Sequence, residues 1–330
     1  MKLQPVIQEL HFISPLSKTI WSDIMSILVS TAAIVMVAET VLGTFANAFI
    51  ILVNCTDCIK RRKISLANRI LTALAIFRIG LLWIILMNWY SNVFHLVLSL
   101  QVKYSICAGW IVTNHFNTWL ATILSIHYLL KIGSFSNLIF LVLKGKIKTV
   151  LIAVFLVSLV LLFPNIIMVT NCERIQVNGQ RGNLTGKTKG TYFLKLTAMM
   201  IFTLDTMVPF TTSTICFLLL IYSLCKHLRK MRLYQKGTQD LSTSAHIKAL
   251  QAVISFLLLF SMFILSLIIS GYNYRKSLEE PVHLICLIIG ALYPSSHSYI
   301  LLWGNKRIKQ AFVLALVQMR ARLWLKEQKP

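Results

Sequence analysis

The residues of this chain that could do chemistry are polar and ionisable groups set inside long apolar runs. Arg78 stands in ALAIFRIGLLW, at least two turns from either end of its run. A charge so placed costs at least about 2.5 kcal/mol on insertion scales unless protein groups surround it. It must therefore face the interior of a helix bundle, with Asn47 a candidate partner at similar depth. Such a group can be a purely structural clamp, and a clamp between helices can also be a switch element. Glu39 and Asp205 are further acids within apolar runs; either could pair with a base or sit near the outer interface. Trp110 and Asn114 lie four residues apart and share a helix face. An aromatic platform with an amide one turn deeper suits an apolar small molecule that needs one hydrogen bond. Ordinary helix packing beside an interfacial tryptophan produces the same spacing. No nucleophile, metal or phosphate motif occurs in a setting that supports enzyme chemistry, and the seven cysteines show no metal-ligand spacing. Cys55-Thr-Asp-Cys58 falls at a predicted helix end without the βαβ context of a redox motif. No cofactor is implied.

These groups need membrane helices to hold them. With 57% hydrophobic and 13% charged residues, 330 residues carry too little polar surface to cover a soluble globule. Seven runs approach or exceed the roughly 20 apolar residues that cross a hydrocarbon core: Met25 to Val53, Leu66 to Tyr90, Tyr104 to Leu130, Ile147 to Val169, Leu196 to Leu224, Ala249 to Ser270 and His283 to Trp303. The expectation is an all-α integral membrane protein, a seven-helix transmembrane bundle over residues 25–303. A 24-residue extension precedes it and a cytoplasmic tail, 304–330, follows. The first stretch lacks a signal-peptide pattern and serves as an uncleaved insertion signal. Of the 33 Lys and Arg residues, 22 lie on the side of KRRK (Lys60 to Lys63), KGKIK, KHLRKMR and the tail, and 10 on the other. The basic side is cytosolic, so the N-terminus is outside. That topology accounts for the net charge of +23 through attraction to anionic inner-leaflet lipid, and nucleic acid is not implied. The Asn183-Leu-Thr185 sequon falls in the longest outer loop and is a glycosylation acceptor, whereas the Asn54-Cys-Thr56 sequon faces inward.

The chain also announces a helix on the membrane surface. HSYILLWGNKRIKQ (His297 to Gln310) breaks at Trp303-Gly304-Asn305, after which Ile308, Phe312 and Met319 recur at helical spacing among Lys306, Arg307, Lys309, Arg320 and Arg322. That pattern describes an amphipathic eighth helix on the inner leaflet.

Taken together, the pattern resembles the type 2 taste receptors, the bitter receptors of the seven-helix G-protein-coupled class. LSIHYLLKIGSFSNLIFLVLK resembles the family's third-helix end, and YSLCKHLRKM its fifth-helix motif. KGTQDLSTSAHIKALQAVISFLL resembles the start of its sixth helix, and YPSSHSYILLWGNKRIKQAF its seventh, with Tyr299 in place of the usual phenylalanine. Asn47, Arg78 and the Asn183 sequon stand where the family keeps an Asn, an Arg and a glycan. The resemblance implies a pocket open to the outside and lined by Trp89, Trp110, Asn114 and Phe263, which takes bitter small molecules. Leu287 stands where some members have an acid. It implies a polar hinge at His297 and Ser298, and coupling through Tyr128, Lys131, Lys226, His227, His246 and Lys248 to a heterotrimeric G protein of the gustducin/inhibitory type. A plasma-membrane location, multi-pass, goes with that role. It supplies no helix-three disulfide, so a Cys107–Cys172 bridge stays open. A transporter or channel, for which inverted repeats and broken helices would be expected, is the alternative; seven unrepeated spans and only a few isolated intramembrane ionisable groups argue against it. A retinal-linked photoreceptor would need a lysine in the last span, and none occurs there.

Overall fold

The computed structural model describes residues 15–94, 98–181, 188–234, 241–276 and 280–327, most of them with their side chains. These residues form helices α1 (Pro15–Ile59), α2 (Leu66–Val93), α3 (Leu100–Ile132), α4 (Leu138–Gly145), α5 (Ile147–Arg181), α6 (Thr188–Tyr234), α7 (Leu241–Lys276), α8 (Glu280–Gly304) and α9 (Lys306–Glu327). No strand occurs among the described residues. The chain is all-α. α1 begins at Pro15, inside the opening stretch where the sequence shows no helical periodicity. Proline suits a first helical turn because its φ is preset and the missing N–H has no helical partner to lose.

Among the described residues, six stretches are long and apolar enough to cross a membrane: Ser22–Ile59, Leu66–Ser91, Ile147–Ile167, Met200–Arg229, Leu250–Ser270 and Leu284–Gly304. Each overlaps a predicted run. The run expected at Tyr104 to Leu130 lies in α3, which is not among the six because it carries more polar residues, and packing accommodates them. α3 touches α2, α5 and α6 and buries Asn114, His115, Asn117, Thr118, Thr122, Ser125 and His127. Polar residues are affordable where protein, not lipid, surrounds the helix.

The remaining contacts close a bundle: α1 on α2 and α8, α5 on α6, α6 on α7, and α7 on α8. Its outer surface is apolar, with Val41, Phe45, Leu52, Val160 and Leu258 exposed, while Arg78 and Asn47 are inside. That inverts the arrangement of a soluble protein, as a lipid solvent requires. Pro164, Pro209 and Pro294 lie within α5, α6 and α8, where the missing N–H loosens the helix. α1 stops through Arg61 at φ 52°. The Arg61 N–H reaches Cys58 O and the Arg62 N–H reaches Asp57 O, both at 3.0 Å. This is the paired-bond helix stop usually built on glycine.

Gly43 sets how closely three helices approach. A Cβ there would lie 2.7 Å from Leu82 Cδ1 and 2.9 Å from Ser295 Cβ. Gly43→Ala should therefore force α1 off α2 and α8 at about 1–3 kcal/mol, and flow cytometry should show less receptor at the cell surface. Unchanged surface level and thermal stability would contradict this packing.

Candidate functional site

The deepest polar group is Arg78, 1% exposed. Its Nε donates to Asn117 Oδ1 at 3.3 Å, one terminal nitrogen to Ser298 Oγ at 3.2 Å, and the other to Tyr293 OH at 3.3 Å. The same terminal nitrogen meets His297 Nδ1. The acceptor role of Nδ1 places the imidazole proton on Nε2. No carboxylate takes part among the described residues, so neutral acceptors and the Tyr293 ring, 5.2 Å from the guanidinium carbon, solvate the charge. Such bonds to a charged group are worth about 1.5–3 kcal/mol each.

The network extends to α1. Ser298 Oγ donates to Asn47 Oδ1 at 2.8 Å, and Asn47 Nδ2 donates to Gly43 O at 2.7 Å and Pro294 O at 3.4 Å. Asn47 and Arg78, expected to be partners, are thus joined through Ser298. One more tie between α1 and α8 comes from Tyr299, whose hydroxyl donates to Leu42 O at 2.9 Å. A phenylalanine there could not make it.

Tyr293, which the sequence reading did not single out, connects this network to α7. Its ring lies 5.0 Å from Phe263 and 5.3 Å from Phe260, and it stacks on His297 at 5.6 Å with 12° between planes. Phe256 completes the cage against His297 at 4.3 Å. Phe263, a predicted ligand residue, is therefore one ring away from Arg78. Trp89 and Phe263 belong to one buried cluster, against which Trp110 packs. Trp110 is half-buried and stacks on Phe202 at 5.5 Å. Trp89, Asn114 and Phe263 are buried, and Trp89 Nε1 and Asn114 Oδ1 have no hydrogen-bond partner among the described residues. Unsatisfied buried polar atoms are uncommon and call for an explanation; a ligand that supplies a donor or acceptor is one.

A second polar centre ties α3, α5 and α6. Asp205 Oδ1 accepts from His115 Nδ1 at 2.8 Å and Trp119 Nε1 at 3.0 Å, and Oδ2 accepts from Asn165 Nδ2 at 2.9 Å. All four residues are buried. The base open to Asp205 is thus His115, whereas Glu39 is half-buried and its Oε2 has no partner among the described residues. Trp119 and Asn165 could have been found from sequence only by treating every polar residue in a span as informative. One helical turn further, Thr122 Oγ1 bonds Pro209 O at 3.0 Å and Ser213 Oγ at 2.7 Å.

At the basic end, Ser134 N–H donates to Ser223 Oγ at 3.0 Å, drawing the end of α3 onto α6. Lys131, Lys226 and His227 are exposed there, and Tyr128 is half-buried. Asn183 and the side chains of His246, Lys248 and Cys172 lie outside the described residues. The Gly304-Asn305 junction turns the chain: Asn305 Oδ1 accepts from the N–H groups of Arg307 and Ile308 at 3.1 and 3.4 Å, capping α9. Arg307 then pairs with Asp57 at the end of α1, Ile308 is buried, and Phe312 meets Phe49 edge-on at 5.2 Å.

The family model described as taste receptor protein (TAS2R) matches residues 24–320. The chain is 75% identical to rat taste receptor type 2 member 136 over 330 residues, all of both chains. It is 73% identical to the mouse protein of that name over 306 residues, 93% of this chain and all of the relative. It is also 50% identical to the human putative taste receptor type 2 member 33 over 299 residues, 90% of this chain and 96% of the relative. A match across nearly the whole bundle, polar network included, leads to one conclusion: the chain belongs to the taste receptor type 2 family and is a chemosensory membrane receptor, not an enzyme.

Proposed function

We propose that this receptor spans the membrane seven times, through α1, α2, α3, α5, α6, α7 and α8, with its N-terminus outside and α9 along the inner leaflet. Bitter small molecules bind among Trp89, Trp110, Asn114 and Phe263, and Tyr128, Lys131, Lys226, His227, His246 and Lys248 engage a gustducin/inhibitory-type G protein. The observation that carries this reading is Tyr293, packed on Phe263 at 5.0 Å and bonded to Arg78 at 3.3 Å. A ligand that shifts Phe263 changes the packing of the ring that helps solvate the buried guanidinium, and Arg78 ties α2 and α3 to the His297–Ser298 segment of α8. The ligand must favour the conformer that admits the G protein, since equal affinity for both states shifts nothing. A solute transporter is not favoured by the family.

The test is a panel of bitter compounds applied to cells expressing the receptor with or without a chimeric G-protein α subunit. A calcium response is expected only with the subunit. For an agonist so found, Trp110→Ala and Phe263→Ala should raise the half-maximal concentration at least about tenfold, the loss of roughly 1.4 kcal/mol. A response independent of the subunit would overturn the coupling, and unshifted curves would overturn the pocket.

The proposed topology also assigns the sequons. Asn183 carries glycan and Asn54 does not. Asn54 is buried, and its Nδ2 already bonds Thr72 Oγ1 at 2.9 Å. Glycosidase treatment should shift the mobility of the natural chain and leave Asn183→Gln unchanged; a persisting shift contradicts the assignment. Residues 1–24 are a dispensable extension on this reading, because the first span and KRRK survive its removal. A chain begun at Met25 should match the full chain in surface level and agonist response. A large rightward shift at equal expression would instead make the extension a lid over the pocket.

A further inference from the structure

The inner end of α1 carries two exposed thiols, Cys55 and Cys58, beside an exposed apolar stripe. Phe45, Leu52 and Ile59 are exposed along one side of the helix, at 50, 61 and 82%. Cys55 follows Leu52 by three residues on that side, Cys58 follows by three more, and both are exposed free thiols. Cys216 and Cys286 are buried, and Cys225 is partly covered. α1 ends at Ile59 and passes directly into Lys60-Arg61-Arg62-Lys63, so the thiols stand where hydrocarbon gives way to headgroups. Exposure of a polarisable but nearly apolar side chain to lipid costs little, and alone would mean nothing. Two exposed thiols in the last turns of a helix, five and two residues before a basic run at its stop, form an addressable site.

We propose that Cys55 and Cys58 are S-acylated by long-chain fatty acyl groups. This rests on the proposed topology, which places that end of α1 in the cytosol, where acyl-coenzyme A is the donor. The cysteine sulfur attacks the acyl carbonyl, a new sulfur–carbon bond forms, and the bond to the coenzyme A sulfur breaks. Coenzyme A leaves as a thiol with the proton the cysteine lost, and no oxidant or reductant is needed. The acyl chains then enter the inner leaflet beside Leu52 and Ile59. Each buried methylene adds to the membrane affinity of that corner. Asp57, between the two cysteines, holds Arg62 at 3.9 Å and pairs with Arg307 of α9. The modification would therefore pin the corner where α1, α9 and the inner leaflet meet.

Cells expressing the full chain would be fed a palmitate analogue bearing a terminal alkyne, and the purified receptor tagged through the alkyne. The expected result is a hydroxylamine-sensitive label. Cys55→Ser and Cys58→Ser each reduce it, the double substitution abolishes it, and Cys216→Ser or Cys225→Ser leaves it intact. Acyl exchange followed by peptide mass spectrometry on the natural chain maps the same two residues, so the conclusion does not depend on how well the variants fold. No label, or a label that survives the double substitution, overturns the proposal. Topology is read separately with a membrane-impermeant maleimide on intact cells, after hydroxylamine. Reaction at Cys55 or Cys58 there overturns the orientation itself, whereas protection combined with no acyl label overturns the acylation alone.

Discussion

Replacing Arg78 by leucine will lower the receptor at the cell surface by at least about tenfold, and the remainder will respond weakly to any agonist. Leucine fits the apolar surroundings, so the loss comes from what it abandons. Asn117 Oδ1, Tyr293 OH and His297 Nδ1 each lose the donor that now serves them, within a bundle that admits little water. Each orphaned buried group costs about 1–3 kcal/mol, a large fraction of the 5–15 kcal/mol typical of a folded domain. Arg78→Lys should fall between the two, because an ammonium on a single stem cannot serve α3 and α8 together as a planar fork does. Tyr293→Phe separates clamp from switch: the ring packing on Phe263 and His297 stays, and only the hydroxyl is lost. A pure clamp predicts slightly lower stability with unchanged basal signalling per surface receptor. A switch predicts basal signalling that moves while surface level holds. Surface labelling and basal reporter activity decide it, and an Arg78→Leu receptor with normal levels and normal activation would remove Arg78 from both roles.

The sequence made much of this legible, for identifiable reasons. A guanidinium amid leucines has one affordable location, so the burial of Arg78 followed from insertion cost alone. Long apolar runs located the helices, and the break at Gly304-Asn305 anticipated the turn into α9, whose cap the structure supplies through Asn305 Oδ1. Partners were harder to read. Arg78 and Ser298 are 220 residues apart, and no local periodicity links positions on different helices. Tyr293 escaped notice because an aromatic in a span is normally packing, and only its hydroxyl at Arg78 sets it apart. The span expected at Tyr104 to Leu130 showed in the sequence as one more apolar run, but that seven of its polar residues point into protein could not be read from it, because burial depends on neighbours distant in the chain.

The buried acid leads to the second large effect. Asp205→Ala will abolish surface delivery more completely than Asp205→Asn, because the carboxylate holds three donors from two other helices. Alanine leaves the His115, Trp119 and Asn165 hydrogens unpaired at once. Each buried donor so orphaned costs about 1–3 kcal/mol. Asparagine keeps one oxygen, enough for His115 and Trp119 at Oδ1, but sets its own NH2 against the Asn165 NH2 where Oδ2 now accepts. One contact then turns from attraction to donor–donor opposition. Asn165→Leu in the Asp205→Asn background removes that opposition, so the double variant should recover surface level relative to Asp205→Asn alone. Recovery is the signature of this geometry, since two unrelated destabilising substitutions would add. The site also lies one turn from Thr122, whose hydroxyl bonds Pro209 O on α6. Loosening Asp205 should therefore raise amide exchange in α6 around Pro209 before it does so in α2. Equal surface levels for the alanine and asparagine receptors, or additive loss in the double variant, would show that the Asp205 carboxylate does not hold α3, α5 and α6 together.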